Sequence, residues 1–197
     1  YIATNIENAA DFEGKSEAEK LALLKGKSFS FVSATSTSGC LVPTTTLYNA
    51  FGPNGDQSVN AKELVNAKTT SQGGLFSEIQ FGGNHPGSVQ LIAEKKVYAG
   101  AFCCNYGDPY KEQLYVIAES TVPNGPLWVN KANLSQDAID KLTHHFVNLT
   151  PENAVPNFFD KEKGFFSAEN PDTADVLRFF EVSVDDYDFV YKMYAEK

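Results

Sequence analysis

The stretch Phe29–Pro43, FSFVSATSTSGCLVP, sets four hydroxyl side chains, Thr35, Ser36, Thr37 and Ser38, between an apolar run and Gly39. The segment after Gly39 reads as a helix, so the hydroxyls stand at its amino terminus. A helix start leaves unpaired N–H groups and carries partial positive charge. Hydroxyls added there make a neutral cradle for a tetrahedral oxyanion, and Gly39 lets the backbone come close. The same residues also fit an ordinary N-cap with spare loop hydroxyls, since one capping side chain suffices. A second junction of this kind is FGGNHPGSV, residues 81–89, where Gly82 and Gly83 close an apolar segment and His85 stands before Pro86. An imidazole there either donates to an anion or caps its own helix. Two neighbouring strand-to-helix corners aimed at one point are the stronger indication of a site.

Such corners require alternating strands and helices. SEAEKLALLK (16–25) puts Ala18, Leu21 and Leu24 or Leu23 on one helical face, with Gly26 as a stop. KSFSFVSA (27–34) alternates and reads as a strand; residues 39–52 read as a helix that Pro43 bends early. Residues 52–74 form a turn-rich loop around a short helix at 60–67. LFSEIQFGG (75–83) reads as a strand with Phe76, Ile79 and Phe81 as its apolar members. NHPGSVQLIAEKK (84–96) is a helix with Pro86 in its first turn and Val89, Ile92 and Ala93 facing inward. VYAGAFCC (97–104), LYVIAES (114–120) and LWVN (127–130) read as strands. LSQDAIDKLTHHFVNL (134–149) is an amphipathic helix carrying Ile139, Leu142, Phe146 and Leu149 on one side. The rest reads as loop plus one or two helices. This alternation predicts an α/β fold with a mostly parallel sheet and flanking helices, in which ligands gather where strands end and helices begin.

Composition narrows the function. The chain of 197 residues carries a net charge of −9 and has no Lys/Arg-rich run, which excludes a surface for nucleic acid or anionic membrane. No apolar run reaches the roughly 18–20 residues that span a bilayer, and the opening YIATNIENAADFEG does not read as a signal peptide. Cys40, Cys103 and Cys104 are too few for a disulfide framework or a metal set and read as small buried apolar residues. No metal or cofactor is expected. His144 and His145, neighbours on a helix, point about 100° apart and cannot chelate together. Tyr106, Asp108 and Tyr110 form a turn that either packs on its own rings or touches a ligand.

The order of these segments resembles the phosphate/phosphite/phosphonate-binding proteins of ABC importers. LKGKSFSFVSATSTSGCLVPTTTL is similar to that family's GK turn, strand and STSG segment. FGGNHPGSVQLIAEKKVYAGAF is similar to its Gly-x-His segment, helix and next strand. LYVIAESTVPNGPLWVN is similar to its S-x-x-x-P-N turn and final strand, and DDYDFVY to its C-terminal helix. The resemblance implies a type II periplasmic-binding-protein fold, with residues 1–150 as one Rossmann-like ligand-binding lobe. Residues 151–197 would be a helical tail packing on the lobe or hinge, and the N-terminal lobe would be absent from this chain. It implies that Ser36, Thr37, Ser38 and Gly39 hold the phosphoryl oxygens and that His85 donates to the same group. Asn84, Tyr98 and Asn105 are candidate contacts to the ligand's tail. Pro86, Tyr98 and the long loop 52–74 depart from the family pattern and would alter what is tolerated beyond the phosphoryl head.

The function implied is a non-catalytic, monomeric, extracytoplasmic binding component. It would deliver a phosphonate or related oxyanion to permease subunits and meet the membrane only through a lipid anchor outside these residues. Two alternatives use the same scaffold. A serine-dependent enzyme would need a nucleophile elbow and a paired base, and no Gly-x-Ser-x-Gly is present. A binder of ferric ion or an amino acid would use tyrosines or an arginine clamp; tyrosines are available, but Arg178 is the single arginine, so a carboxylate lacks its usual clamp.

Overall fold

The computed structural model describes residues 1–66, 73–160 and 178–195. Parts of the predicted loop 52–74 and of the predicted tail therefore lie outside the described residues. In chain order the elements are β1 (Ile2–Asn5), α1 (Ala9–Phe12), α2 (Glu17–Ala22), β2 (Ser28–Phe31), α3 (Val42–Phe51), β3 (Glu78–Phe81), α4 (His85–Ala93), β4 (Ala99–Ala101), β5 (Leu114–Ala118), α5 (Gln136–Val147) and α6 (Asp188–Ala195). Short 3-10 turns occupy Lys62–Asn66, Cys104–Gln113 and Val184–Tyr187.

Local chemistry sets the helix starts. Ser16 and Glu19 form a reciprocal capping box on α2, Asn84 accepts from the Gly87 amide at 2.7 Å to cap α4, and Ser135 caps α5. Pro86 sits in the first turn of α4, where a missing N–H removes no intrahelical bond. Pro43 does not bend α3 from within. It lies in the first turn of α3, and a π-helical turn, Thr37–Leu41, precedes it.

Strand order is β3-β2-β4-β1-β5. β2 pairs in parallel with β3 (Phe31 opposite Phe81) and with β4 (Phe29 opposite Ala99). β1, which the sequence reading did not identify, runs antiparallel to both β4 and β5. β2, β3, β4 and β5 therefore share one direction, the mostly parallel sheet expected. LWVN is not a strand: no sheet partner meets it among the described residues, and Trp128 is 68% exposed.

Side-chain alternation along the sheet builds two cores. Phe29 and Phe31 point to one face, where Phe12, Leu21, Leu24, Leu47, Phe51 and Phe76 pack on them. The opposite face carries small residues, Ala3, Ser30 and Gly100, and receives Val89 and Ile92 of α4. A Cβ on Gly100 would meet Ile92 Cδ1 at 3.0 Å, so the small residues admit the helix at close range. The Ser88 hydroxyl, fully buried, donates to the Ala101 carbonyl at 2.8 Å and bonds the Ser30 hydroxyl at 2.9 Å. Phe76 fills the first core just before β3, whereas Phe81, expected inside, is 47% exposed because β3 is an edge strand.

Packing divides the chain into two compact units, Tyr1–Val122 together with the residues from Phe189 onward, and Pro123–Asp188. Helix α5, within the range assigned to the lobe by sequence, belongs to the second unit. No helix among the described residues is long and apolar enough to cross a membrane.

Phe76 stacks on Phe29 at 4.5 Å with an interplanar angle of 17°. Phe76→Ala should destabilise the first unit by about 3–5 kcal/mol, while Phe81→Ala on the edge costs about 1 kcal/mol or less. Urea unfolding of the two variants measures the difference.

Candidate functional site

Because β2 to β5 share a direction, their carboxyl ends open on one edge of the sheet, and each is followed by a loop bearing polar groups. The loop after β2 is held by Val32 N–H donating to Gly39 O at 3.0 Å. A Cβ on Gly39 would lie 2.3 Å from Val32 Cγ2, so only glycine lets the chain fold back this tightly. The adjacent corner continues the parallel pairing: Gly82 and Gly83 amides donate to Phe31 O and Val32 O at 2.9 and 2.8 Å.

The hydroxyls just before Gly39 take separate tasks. Ser36 is the N-cap: its Oγ accepts from the Gly39 amide at 3.0 Å and keeps its own proton to donate. Thr37 meets the Tyr194 hydroxyl of α6 at 3.1 Å, and Lys62 donates to the Met193 carbonyl at 2.9 Å, so the C-terminal helix docks beside the cradle. Ser38 lines the same cleft as Cys103, and its hydroxyl favours the Cys103 thiolate.

His85 opens α4 and stacks on Tyr106, centroids 5.3 Å apart and rings within 7° of parallel. Its Nδ1 accepts from the Cys103 amide at 3.0 Å. The neutral ring therefore carries its proton on Nε2, fixed as a donor, and Nε2 lies 3.5 Å from Cys103 Sγ. Ser38 of the first corner and His85 of the second thus meet at Cys103, just past the end of β4.

The cysteines differ from the sequence reading. Cys40 is buried, but Cys103 is half-buried and Cys104 exposed, at the edge of the site. Burial pushes the Cys103 thiol up, yet the neighbouring His85, Cys104 and Ser38 together bring it down to about 7.

Beside this cluster is a cleft of about 240 Å³ lined by Ser38, Cys103, Cys104, Glu119, Ser120 and Thr121, among others. Among the described residues, no Lys or Arg lines it. Glu119–Thr121 follow β5 at the same edge. Sequence reasoning missed Cys103 and this segment as site residues, although each directly follows a strand of the parallel set.

The three tail candidates fare differently. Asn105 lies half-buried in the turn after Cys103, and Asn84 is committed to capping α4. Tyr98 is not brought to the site. It precedes β4 at the sheet's other edge, against Phe12 at 6.3 Å and under the Lys27 ammonium at 4.7 Å. Its burial there raises the phenol pKa, with Asp11 adding to the effect.

A family model described as "ABC transporter, phosphonate, periplasmic substrate-binding protein" matches residues 2–180. The chain belongs to this family. Among solved structures, PhnD1 from Prochlorococcus marinus (MIT 9301) in complex with methylphosphonate is similar, with 17% identity and a TM-score of 0.58. The match covers 98% of this chain and 64% of that one, so the chain spans under two thirds of that relative's length. At this identity the likeness establishes the fold, a lobe of the type II periplasmic binding proteins. No curated protein matches the chain.

The family motif residues and the Cys103 cluster share one edge, which sets a chemical expectation. Followed site by site with mass spectrometry in the unsubstituted protein, alkylation of Cys103 by iodoacetamide should rise through pH about 7 rather than 9.0, since only the thiolate reacts. His85→Ala should move that rise to higher pH.

Proposed function

We propose that this chain provides the ligand-holding lobe of a substrate-binding protein that captures a phosphonate for an ABC importer. The observation carrying the reading is the meeting of Ser38 and His85 at one edge, beside the Ser36 and Thr37 hydroxyls, in a member of the phosphonate-binding family. Phosphoryl oxygens would be held by the hydroxyls of Ser36, Thr37 and Ser38, the backbone around Gly39 and the Nε2–H of His85. All are neutral donors, which suits a chain of net charge −9. Oriented dipoles supply the attraction that lysines supply elsewhere.

Family membership supports an extracytoplasmic setting and delivery to permease subunits; the reading also takes the protein to be monomeric and lipid-anchored. A further lobe would close over the cleft. No catalysis is proposed. His85 engages Cys103 rather than a serine, so the serine hydroxyls have no paired base.

Titration calorimetry of the intact protein against methylphosphonate, aminoethylphosphonate, phosphate, phosphite and amino acids tests the reading. Binding of an amino acid with no heat from any phosphorus oxyanion would refute it. Ser36→Ala/Thr37→Val should weaken phosphonate binding by about 1.5–3 kcal/mol for each charge-assisted bond removed. Glu119 lines the same cleft, so its carboxylate opposes a bare dianion and favours a cationic substituent. Glu119→Gln should therefore reduce affinity for aminoethylphosphonate while leaving methylphosphonate unchanged or tighter.

A further inference from the structure

Cys103 and Cys104 stand in the wall of the cleft, and nothing in phosphonate capture requires two thiols there. Neighbouring residues of an extended chain point to opposite sides. Here the chain is extended at Cys103 (φ −122°, ψ 165°) but left-handed at Cys104 (φ 58°), and the two sulfurs come together at 2.8 Å. Positive φ at a non-glycine residue is uncommon and marks a position held by its surroundings. Around the Cys103 sulfur stand the Cys104 thiol, the Ser38 hydroxyl and His85 Nε2, a ring of donors that favours the thiolate. Cys104 is exposed, which gives a small oxidant access to the pair.

We propose that Cys103 and Cys104 form a peroxide-responsive dithiol that closes to a vicinal disulfide and thereby weakens the ligand site. The Cys103 thiolate attacks one oxygen of hydrogen peroxide; the O–O bond breaks, hydroxide leaves and takes up a proton, and Cys103 becomes a sulfenic acid. The Cys104 thiol then attacks that sulfur. The S–S bond forms as the S–O bond breaks, and hydroxide departs with the proton lost by Cys104. In sum, the dithiol loses two electrons and two protons, and one peroxide becomes two waters. Adjacent Cα atoms are about 3.8 Å apart, below the roughly 4.4–6.8 Å that disulfides favour. The ring is thus strained and readily reopened by thiols.

The coupling to ligand rests on the phosphonate reading above. Ser38 and His85, the two groups that meet at the Cys103 sulfur, are also proposed to hold the phosphoryl oxygens. Drawing that sulfur into a ring with Cys104 removes the thiol that both groups face and disturbs the adjoining amide that holds His85 Nδ1.

The test uses the intact, fully reduced protein treated with equimolar hydrogen peroxide. Mass spectrometry of tryptic peptide 97–111 should show loss of two hydrogens, reversed by dithiothreitol. Cys104→Ser should halt at a sulfenic acid captured by dimedone, and Cys103→Ser should leave Cys104 largely unoxidised. Methylphosphonate affinity should fall by about tenfold on oxidation, equivalent to about 1.4 kcal/mol, and return on reduction. Absence of the disulfide, or a disulfide with unchanged affinity, would overturn the proposal. A reduced protein that binds no phosphonate would refute the ligand reading instead, and the mass measurement would then decide the dithiol alone.

Discussion

The Ser88 hydroxyl is buried between the Ser30 hydroxyl on β2 and the Ala101 carbonyl on β4, and this bridge fixes where α4 begins. A buried hydroxyl left unpaired is destabilising by a few kcal/mol, so α4 cannot slide or rotate without breaking it. His85 lies one turn earlier on that helix, and Cys103 lies two residues beyond Ala101. The bridge therefore sets the imidazole and the Cys103 amide at hydrogen-bond range and, through that bond, the tautomer that makes Nε2 a donor. Ser30 stands next to Phe31, which leads into the hydroxyl loop. One polar contact inside the sheet thus registers both corners of the site.

The electrostatic design stems from the lack of lysine and arginine among the described residues of the cleft wall. With no Lys or Arg in that wall, the proposed site would hold an anion by direction rather than charge, through hydroxyl, amide and imidazole dipoles. Such groups carry little desolvation penalty when the site is empty, and they discriminate by geometry. The lowered Cys103 thiol fits the same reading, since donors that would stabilise a phosphoryl oxygen also stabilise a thiolate sulfur.

Much of this is legible in the residues. Caps at Ser16, Asn84 and Ser135 and the apolar spacing behind them mark α2, α4 and α5, and the two glycine-bearing corners mark the hydroxyls and His85. The features that escape are tertiary in origin. YIATN has no periodicity that distinguishes a strand from a coil, and only its partners β4 and β5 make it one. LWVN has strand-forming residues and no partner among the described residues. Phe81 fits an inward pattern until the strand order puts β3 at the edge. Cys103 and Glu119 look ordinary because their importance lies in strand direction, which a sequence does not display. Tyr98, a candidate contact by resemblance, stands at the wrong end of the right strand.

β4 and β5 do not touch each other; β1 lies between them, bonded to both. Ile2 is opposite Ala101 and Ala118, so a segment made before either neighbour waits about a hundred residues for them. The edge that carries the site is therefore continuous only when β1 is paired on both sides with strands about a hundred residues away in sequence.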